Sequence, residues 1–300
     1  YVNAGTLNLS AAAGFQVIPG NRVISGYASA QNSTVAMTGG VEGQINSAAN
    51  ISLIGGANLN LAGMNTLSSL SFVNEGAMAN PTVATSTRLV LSSANPITAI
   101  NQSPVTLPTI SGAALEFSAS NPTITVNAGL AETGLNISAF IFQNAGMTSL
   151  TKAGSGVLAL SAANTFVSDF TLAGGTLMLG ASSTATTLSV TNGPVGRGTL
   201  LVGGGTALLS DGTVRTLHNP ITVNGDFALG GRGAGSGVIL AGKVSLGSAM
   251  RTIAVTNYGV TATLNGGLAT DVLSPDRSNP NVALTKTGNG VLVLGTPSTA

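Results

Sequence analysis

Short runs in which apolar and polar residues alternate recur along almost the whole chain. Each run places aliphatic side chains at every second position and is bounded by Gly or Asn; seven of them lie at 7–9, 51–53, 59–61, 124–126, 177–179, 221–223 and 253–255. Alternation with a period of two predicts strands with one buried face. Gly, Asn, Thr and Val recur too often for a helix of about fifteen residues. The pattern therefore predicts an all-β protein.

Two eleven-residue segments are nearly identical. LTKAGSGVLAL at 150–160 and LTKTGNGVLVL at 284–294 match at eight of eleven positions. Shorter motifs precede both copies in the same order, beginning with Asn-Pro-Ile-Thr at 95–98 and 219–222. Self-similarity of this kind is the sequence sign of a repeat architecture. The chain is thus expected to contain an internal repeat, covering roughly 84–180 and 213–300.

Repeated short strands with small residues at the turns are typical of a β-solenoid, in which each coil pairs with the coils before and after it. At about 20–25 residues per coil, the 300 residues would form one continuous solenoid of roughly a dozen coils. A β-sandwich or β-barrel shares the short strands but usually has a charged outer face and an aromatic core. The composition favours the solenoid, because only 6% of the residues are charged and 4% are aromatic.

Composition also narrows the partners. Ten basic and nine acidic residues give a formal net charge of +1, and they are scattered singly, so a nucleic acid partner is not expected. The chain has no Trp, which argues against stacked bases and, less strongly, against sugars. No apolar run approaches the roughly twenty residues of a membrane-spanning helix. Cysteine is absent, so stability must come from backbone pairing and aliphatic packing.

Candidate catalytic groups are sparse. Residues 237–243 have the Gly and Lys spacing of a phosphate-binding loop, but Val244 replaces the hydroxyl residue that would hold magnesium, so we interpret the segment as a Gly-turned β coil. His218 is the sole histidine, and its place at a turn beside Asn219-Pro220 predicts an exposed structural residue. Three loose groupings of charge remain, which we interpret as surface charges or local ion pairs: Asp211 with Arg215, Asp226 with Arg232, and Asp271 with Asp276 and Arg277. No catalytic, cofactor or metal site is predicted.

The first eleven-residue segment and the residues after it resemble the passenger-associated transport repeat of bacterial autotransporter adhesins. That pattern runs Leu-Thr-Lys-x-Gly-x-Gly-x-Leu-x-Leu, then Ser-Gly-x-Asn-Thr-Tyr, then Gly-Gly-Thr-Leu; here Ala162 replaces a Gly and Phe166 takes the Tyr position. The matching residues are Leu150, Thr151, Lys152, Gly154, Gly156, Leu158, Leu160, Ser161, Asn164, Thr165, Gly174, Gly175, Thr176 and Leu177. The resemblance implies a right-handed parallel β-helix that is secreted and displayed at a bacterial surface, with an adhesive or scaffolding role.

The two ends of the chain complement each other. The second segment stops near residue 300, and residues 1–9 resemble the second half of the repeat that it lacks. Joining Ala300 to Tyr1 gives a nearly complete repeat that is about four residues shorter than the internal one. We therefore expect an end-to-end junction, completed by residues 1–10 of a following unit, at Tyr1, Val2, Gly5, Leu7, Leu9, Val291, Leu292, Leu294 and Ala300.

Three functional hypotheses follow. The first is a non-catalytic extracellular structural protein that builds a surface stalk or filament, with copies of itself as partners through tandem repetition, head-to-tail stacking or lateral packing. Its core is expected to contain Leu158, Leu160, Leu177, Leu179, Leu292 and Leu294, and its corners Gly154, Gly156, Gly288 and Gly290. The second is an adhesin passenger whose Thr and Asn face binds a surface or host ligand. The third is a carbohydrate-active β-helix enzyme, which would need paired carboxylates in a cleft. Because the chain begins at Tyr1 without an initiating Met or a signal sequence, we interpret it as a processed protein or a piece of a longer one.

Overall fold

The computed structural model describes residues 1–12, 14–26, 32–143, 146–247, 249–269 and 284–295. Within these ranges every regular secondary-structure element is a β-strand, so the described chain is all-β. It divides into two compact units, Tyr1–Ala159 and Leu160–Ala300. Each unit is a stack of coils whose strands form long parallel sheets. The predicted parallel β-solenoid is confirmed.

The coils have up to three strand-bearing sides. We call side 1 the sheet that contains the strand after Asn-Pro in each unit, which is Ile97–Asn101 in the first and Ile221–Val223 in the second. Side 2 and side 3 follow in chain order. Counted over the described residues of both units, side 2 has 12 strands, one for each coil, which confirms the expected dozen.

In the first unit, all neighbouring strands on each side are parallel, and the strands are as follows. Side 1 contains β2 (Arg22–Gly26), β4 (Asn50–Gly55), β7 (Ser69–Asn74), β10 (Ile97–Asn101), β13 (Thr123–Asn127) and β16 (Ser149–Ala153). Side 2 contains β1 (Thr6–Leu9), β3 (Thr34–Met37), β5 (Asn58–Leu61), β8 (Thr82–Thr85), β11 (Thr109–Gly112), β14 (Leu135–Ile137) and β17 (Val157–Leu160). Side 3 contains β6 (Met64–Leu67), β9 (Arg88–Leu91), β12 (Ala114–Phe117) and β15 (Phe140–Phe142).

The second unit repeats the arrangement and adds one hairpin. Side 1 contains β18 (Asp169–Leu172), β22 (Leu200–Val202), β25 (Ile221–Val223), β28 (Val244–Ser245) and β31 (Leu268–Ala269). Side 2 contains β19 (Thr176–Leu179), β23 (Thr206–Ser210), β26 (Phe227–Gly231), β29 (Arg251–Val255) and β32 (Leu284–Thr287). Side 3 contains β24 (Val214–Leu217), β27 (Gly237–Leu240), β30 (Thr261–Leu264) and β33 (Val291–Leu294). The hairpin pairs β20 (Thr184–Ala185) with β21 (Val190–Asn192) in antiparallel fashion.

Parallel pairing in register places like residues above one another. On side 1 of the first unit an inward-facing ladder contains four aliphatic residues, each at most 2% exposed: Ile51, Leu70, Ile97 and Ile124. Ile97 pairs with Ile124, 27 positions further along the chain, whereas Thr206 pairs with Phe227 after 21. Some coils are therefore longer than the expected 20–25 residues, because corner segments such as 102–108 add residues between two strands.

The outward positions of side 2 in the first unit form a polar ladder. Six strands contribute one residue each to this ladder, which we call the Thr/Asn ladder: Thr6, Thr34, Asn58, Thr82, Thr109 and Asn136. The rungs also bond to one another, since the Thr82 hydroxyl donates to the Asn58 side-chain oxygen at 2.6 Å. Strands in a sheet lie about 4.8 Å apart, so the polar residues of the ladder are regularly spaced. All of them are Thr or Asn, and the row is therefore uncharged.

Candidate functional site

The last described strands, β31, β32 and β33, leave one edge of the second unit open. Within the described residues each of them pairs with a neighbour on one side only. Leu292 and Leu294 on β33 lie above Ala262 and Leu264, which are at most 1% exposed. Leu294 is nevertheless 58% exposed. Two leucines therefore occupy inward-facing positions of a coil without being enclosed.

A lysine in β32 is in the same situation. Lys286 lies above the buried Ile253, at an inward-facing position, yet its side chain is exposed. Its ammonium group donates a hydrogen bond to the Gly288 carbonyl oxygen. In the first copy of the segment, Lys152 likewise lies above a buried residue, Ile124, but is 0% exposed. The same local sequence thus has a buried lysine in one coil and an exposed one at the open edge.

The buried ammonium group of Lys152 donates hydrogen bonds to backbone carbonyl oxygens. Its ammonium nitrogen lies 2.6 Å from the Gly154 carbonyl oxygen and 2.7 Å from that of Gly156, both in the turn that leads to β17. Burial lowers the pKa of this ammonium group to about 8, since the charged form is poorly solvated there. The lysine of the eleven-residue segment therefore closes its own turn from inside the coil.

This lowered pKa predicts that stability increases with pH in the alkaline range. The unfolded state retains the Lys152 proton up to about pH 10.5, whereas the folded state loses it from about pH 8, so unfolded protein binds more protons between these values. We expect the free energy of unfolding to gain about 2 kcal/mol from this group between pH 7 and 9.5. Urea titrations of wild type and Lys152→Met measure it. A pH slope that is equal in both proteins would contradict the assignment.

The first coil presents an open edge of the first unit. Val2 bridges Ile24 on side 1, and β1 pairs with β3 on side 2, with no described strand on the other side of β1. Leu9 is 4% exposed, but Leu7 is 40% exposed and Tyr1 is 89% exposed. This edge again presents a partly uncovered inward-facing leucine.

Residues 1–9 have the same local arrangement as residues 171–179. Val2 and Leu172 both lie on side 1, and the Thr-Leu-x-Leu strands β1 and β19 both follow on side 2. Gly5 and Gly175 precede these strands with φ values of 69° and 65°. The beginning of the chain is therefore folded like the second half of the internal repeat.

The two eleven-residue segments occupy different sides of their coils. The first copy lies in β16 on side 1 and β17 on side 2, whereas the second lies in β32 on side 2 and β33 on side 3. Eight residues, 161–168, separate β17 on side 2 from β18 on side 1.

The expected junction residues fall into two groups. Tyr1, Val2, Gly5, Leu7 and Leu9 lie together in the first coil of the first unit, and Val291, Leu292 and Leu294 lie on β33 of the second unit. Ala300 lies outside the described residues. Of the leucines expected to fill the core, Leu158, Leu160, Leu177 and Leu179 are 0% exposed, whereas Leu292 and Leu294 are uncovered.

The charged groupings are local. Arg215 pairs with Asp211 at 2.6 Å, which lowers the pKa of that carboxyl group. An Asp226 carboxylate oxygen accepts a hydrogen bond from the Thr252 backbone N–H. Asp271, Asp276 and Arg277 lie outside the described residues. In the part of the chain that the structure describes, no three His, Asp or Glu side chains come close enough to hold a metal ion.

The glycine-rich segment before Lys243 forms part of the coil. Residues 237–240 are strand β27, and Val244 begins β28 directly after the lysine. A phosphate-binding loop needs a helix start after the lysine, and here a strand follows. The coil interpretation of this segment is thus confirmed.

The hairpin of β20 and β21 was not predicted. It interrupts the second unit between β19 and β22, and its tip residue Leu188 is 94% exposed. The insertion shows in the strand pairing: Leu177 pairs with Leu208 after 31 positions, whereas Leu208 pairs with Leu229 after 21. His218, predicted to be exposed, is instead half-buried beside the hairpin base, with Nδ1 3.3 Å from the Ser183 hydroxyl oxygen.

Comparison of the chain with protein-family models, with curated proteins and with solved structures finds no match. Among the residues that the structure describes, no helix is long and apolar enough to cross a membrane.

Proposed function

We propose that the protein is a non-catalytic structural protein of the bacterial cell surface or extracellular space, whose β-solenoid units stack end to end into a stalk or filament. The single observation that carries the proposal is the exposure of Leu294 and Lys286 at inward-facing positions. The matching residues of the first segment, Lys152 and Leu160, are 0% exposed. A solenoid edge with uncovered core positions and unpaired backbone groups accepts a further strand.

The first coil of another unit fits this edge. Val2 would continue side 1 beyond β31, and β1 would pair with β32 on side 2. Direct joining of Ala300 to Tyr1 would place Thr6 21 positions after Thr285, the same spacing that separates Thr206 from Phe227, and this register puts Leu7 above the inward-facing Lys286. The same contact forms between two separate chains or between tandem units of one chain.

Contact of the two edges would bury apolar side chains on both. Leu7, Leu292 and Leu294 would become enclosed, and complete burial of a leucine contributes about 1.5–3 kcal/mol. A contact between two different surfaces that does not close into a ring propagates as a filament. With only 6% charged residues, adjacent units carry few like charges that would repel one another.

A pair of substitutions in β33 tests the proposal. Leu294→Asp places a carboxylate at the inward-facing edge position, so we expect it to abolish end-to-end association. Because Leu294 is 58% exposed in the single chain, this change costs the monomer little. Val293→Asp is the matched control, since Val293 is its outward-facing neighbour and is 39% exposed. Electron microscopy and sedimentation over a concentration series measure the assemblies.

The expected results are filaments for wild type and Val293→Asp and single particles for Leu294→Asp. Leu7→Asp and Asn8→Asp form the reciprocal pair on β1. Equal loss of assembly in both members of a pair, or a wild-type chain that stays monomeric at every concentration and also when two copies are joined in tandem, would overturn the proposal.

The composition and the polar groups support a structural role at a cell surface. Stability without cysteine rests on aliphatic ladders and backbone pairing, as in Ile51 to Ile124, and does not depend on the redox state of the compartment. The Asp211 carboxylate is engaged by Arg215. The resemblance of residues 150–177 to the autotransporter repeat supports secretion.

The second candidate is an adhesin passenger, and the Thr/Asn ladder favours it. Six regularly spaced polar residues form an uncharged surface that suits a ligand with repeated hydroxyl groups. A chain that remains monomeric in the assembly experiment, and in which Thr82→Lys with Thr109→Lys abolishes adhesion to a glycan-coated surface, would establish this role instead.

A further inference from the structure

The hairpin of β20 and β21 borders a groove in the second unit. The groove has a volume of about 660 Å³, within the range of about 300–1,000 Å³ typical of small-molecule sites. Its lining includes Arg197, His218, Thr187, Leu188, Val190 and Pro220. Among the described residues, no Asp or Glu lines it. Two basic side chains in a groove without carboxylates form an uncommon grouping in a chain with 6% charged residues.

Arg197 is held in place and retains hydrogen-bonding capacity. Its Nε–H donates to the Val190 carbonyl oxygen at 3.1 Å, which ties the guanidinium group to strand β21. Among the described residues, the two ion pairs present are Arg88 with Glu116 and Arg215 with Asp211, so Arg197 has no acidic partner there. A planar guanidinium with free N–H donors matches the two oxygens of a carboxylate.

His218 contributes a second polar atom. Its Nδ1 lies 3.2 Å from the Ser183 carbonyl oxygen and 3.3 Å from the Ser183 hydroxyl oxygen, so this nitrogen is engaged at the hairpin base. Nε2 is the ring nitrogen that is left for a ligand. The His218 backbone N–H also donates to the Ser183 hydroxyl at 2.6 Å, which fixes the residue at the hairpin base.

The hairpin itself is braced by its own hydroxyl groups. Thr186 and Ser189 close the turn through a backbone hydrogen bond of 2.9 Å, and the Thr186 hydroxyl accepts from the Ser189 N–H at 3.2 Å. The Thr184 and Thr191 hydroxyls bond to each other at 2.6 Å. Thr187 is exposed and lines the groove. The hydrogen bonds that close the turn are made by Thr186 and Ser189, so the Thr187 hydroxyl group can bond to a ligand.

We propose that this groove binds an acidic saccharide, with the carboxylate of a uronic acid paired to Arg197. The juxtaposition of a cation, the His218 ring, a Thr hydroxyl and the small apolar side chains Val190 and Pro220 provides one partner for each part of such a ligand. Hydroxyl groups of the sugar bond to His218 and Thr187, and its C–H face packs on the apolar residues. The site does not depend on end-to-end assembly.

Titration of the full chain with sodium glucuronate, glucose and sodium sulfate at constant ionic strength tests the proposal. We expect glucuronate to bind at least 10-fold more tightly than glucose, because the carboxylate supplies the bond to Arg197. Sulfate should also bind at least 10-fold more weakly than glucuronate, because it lacks the sugar ring. Arg197→Gln should weaken glucuronate binding at least 10-fold, and Arg197→Lys about 5-fold, since lysine keeps the charge but not the planar pair of donors.

Two controls separate binding from folding. Arg22→Gln removes a partly exposed arginine of the first unit, outside the groove, and should leave glucuronate affinity unchanged. Leu188 is 94% exposed at the hairpin tip, so Leu188→Glu and Leu188→Lys alter the charge at the groove without altering packing. The first should weaken binding and the second strengthen it. Three results would each overturn the proposal. They are no detectable glucuronate binding at 20 times the concentration at which glucose binding is first detected, equal binding of sulfate and glucuronate, and unchanged glucuronate affinity in Arg197→Gln.

Discussion

Lys152→Glu is expected to destabilise the first unit by about 4 kcal/mol, because it leaves an uncompensated charge in the interior of a coil. Lys152 is 0% exposed and donates hydrogen bonds to the Gly154 and Gly156 carbonyl oxygens. A carboxylate at this position would lie next to the Gly154 and Gly156 carbonyl oxygens. All of these groups are hydrogen-bond acceptors, so neither the carboxylate nor the carbonyl oxygens would have a donor. Chemical denaturation monitored by circular dichroism measures the free energy of unfolding.

Lys286→Glu is the matched control, since it makes the same change at the same position of the second segment. Lys286 is exposed, so water solvates the new carboxylate and the expected loss for the single chain is about 0.5 kcal/mol. The comparison is made at a concentration at which the chain is monomeric. Equal destabilisation by both substitutions would contradict the difference in burial between the two lysines.

Gly154→Ala is expected to cost about 3 kcal/mol, for two reasons that add. Gly154 has φ of 77°, a left-handed conformation that costs an L-residue about 1–2 kcal/mol. A Cβ atom there would also collide with the Val126 carbonyl oxygen of the preceding coil. Relief of this collision requires a shift of the stacked strands, at a cost of about 1–3 kcal/mol. Thermal and chemical denaturation give the change in stability.

Gly14→Ala separates the two contributions. Gly14 has φ of 84°, similar to Gly154, but no atom lies within 4 Å of the position that its Cβ would take. Only the conformational cost remains, so we expect a loss of about 1 kcal/mol. A loss for Gly154→Ala no larger than that for Gly14→Ala would show that the stacked strand is not in close contact with the turn.

The glycines of the eleven-residue segments illustrate how far the sequence could be interpreted. Of the four glycines predicted at corners, Gly154 and Gly288 have positive φ, at 77° and 78°. Gly156 and Gly290 do not have positive φ; a Cβ at either position would instead collide with a neighbouring coil. The repeated Gly-x-Gly spacing predicts a turn. Whether each position needs glycine for its φ value or for the space around its Cα depends on how closely the adjacent coil approaches.

The groove could not be predicted for a similar reason. Arg197 and His218 are 21 positions apart, and neither belongs to a recognisable motif. They meet at one groove because β21 and β24 of different coils flank the hairpin base, where Ser183 bonds to both the Thr216 carbonyl and the His218 N–H. Such a grouping follows from coil length and from the inserted hairpin, which alternation along a strand does not encode.

The sequence by itself determined the all-β class, the seven predicted strands and the inward-facing residues of those strands. It could do so because a strand presents alternate residues to opposite faces, and this depends only on neighbouring positions. Only the tertiary structure decided that Lys152 is buried and Lys286 exposed, and that the two copies of one segment lie on different sides of their coils. Burial and side depend on the coils that stack above and below, whose paired residues are 19 or more positions apart and whose lengths vary.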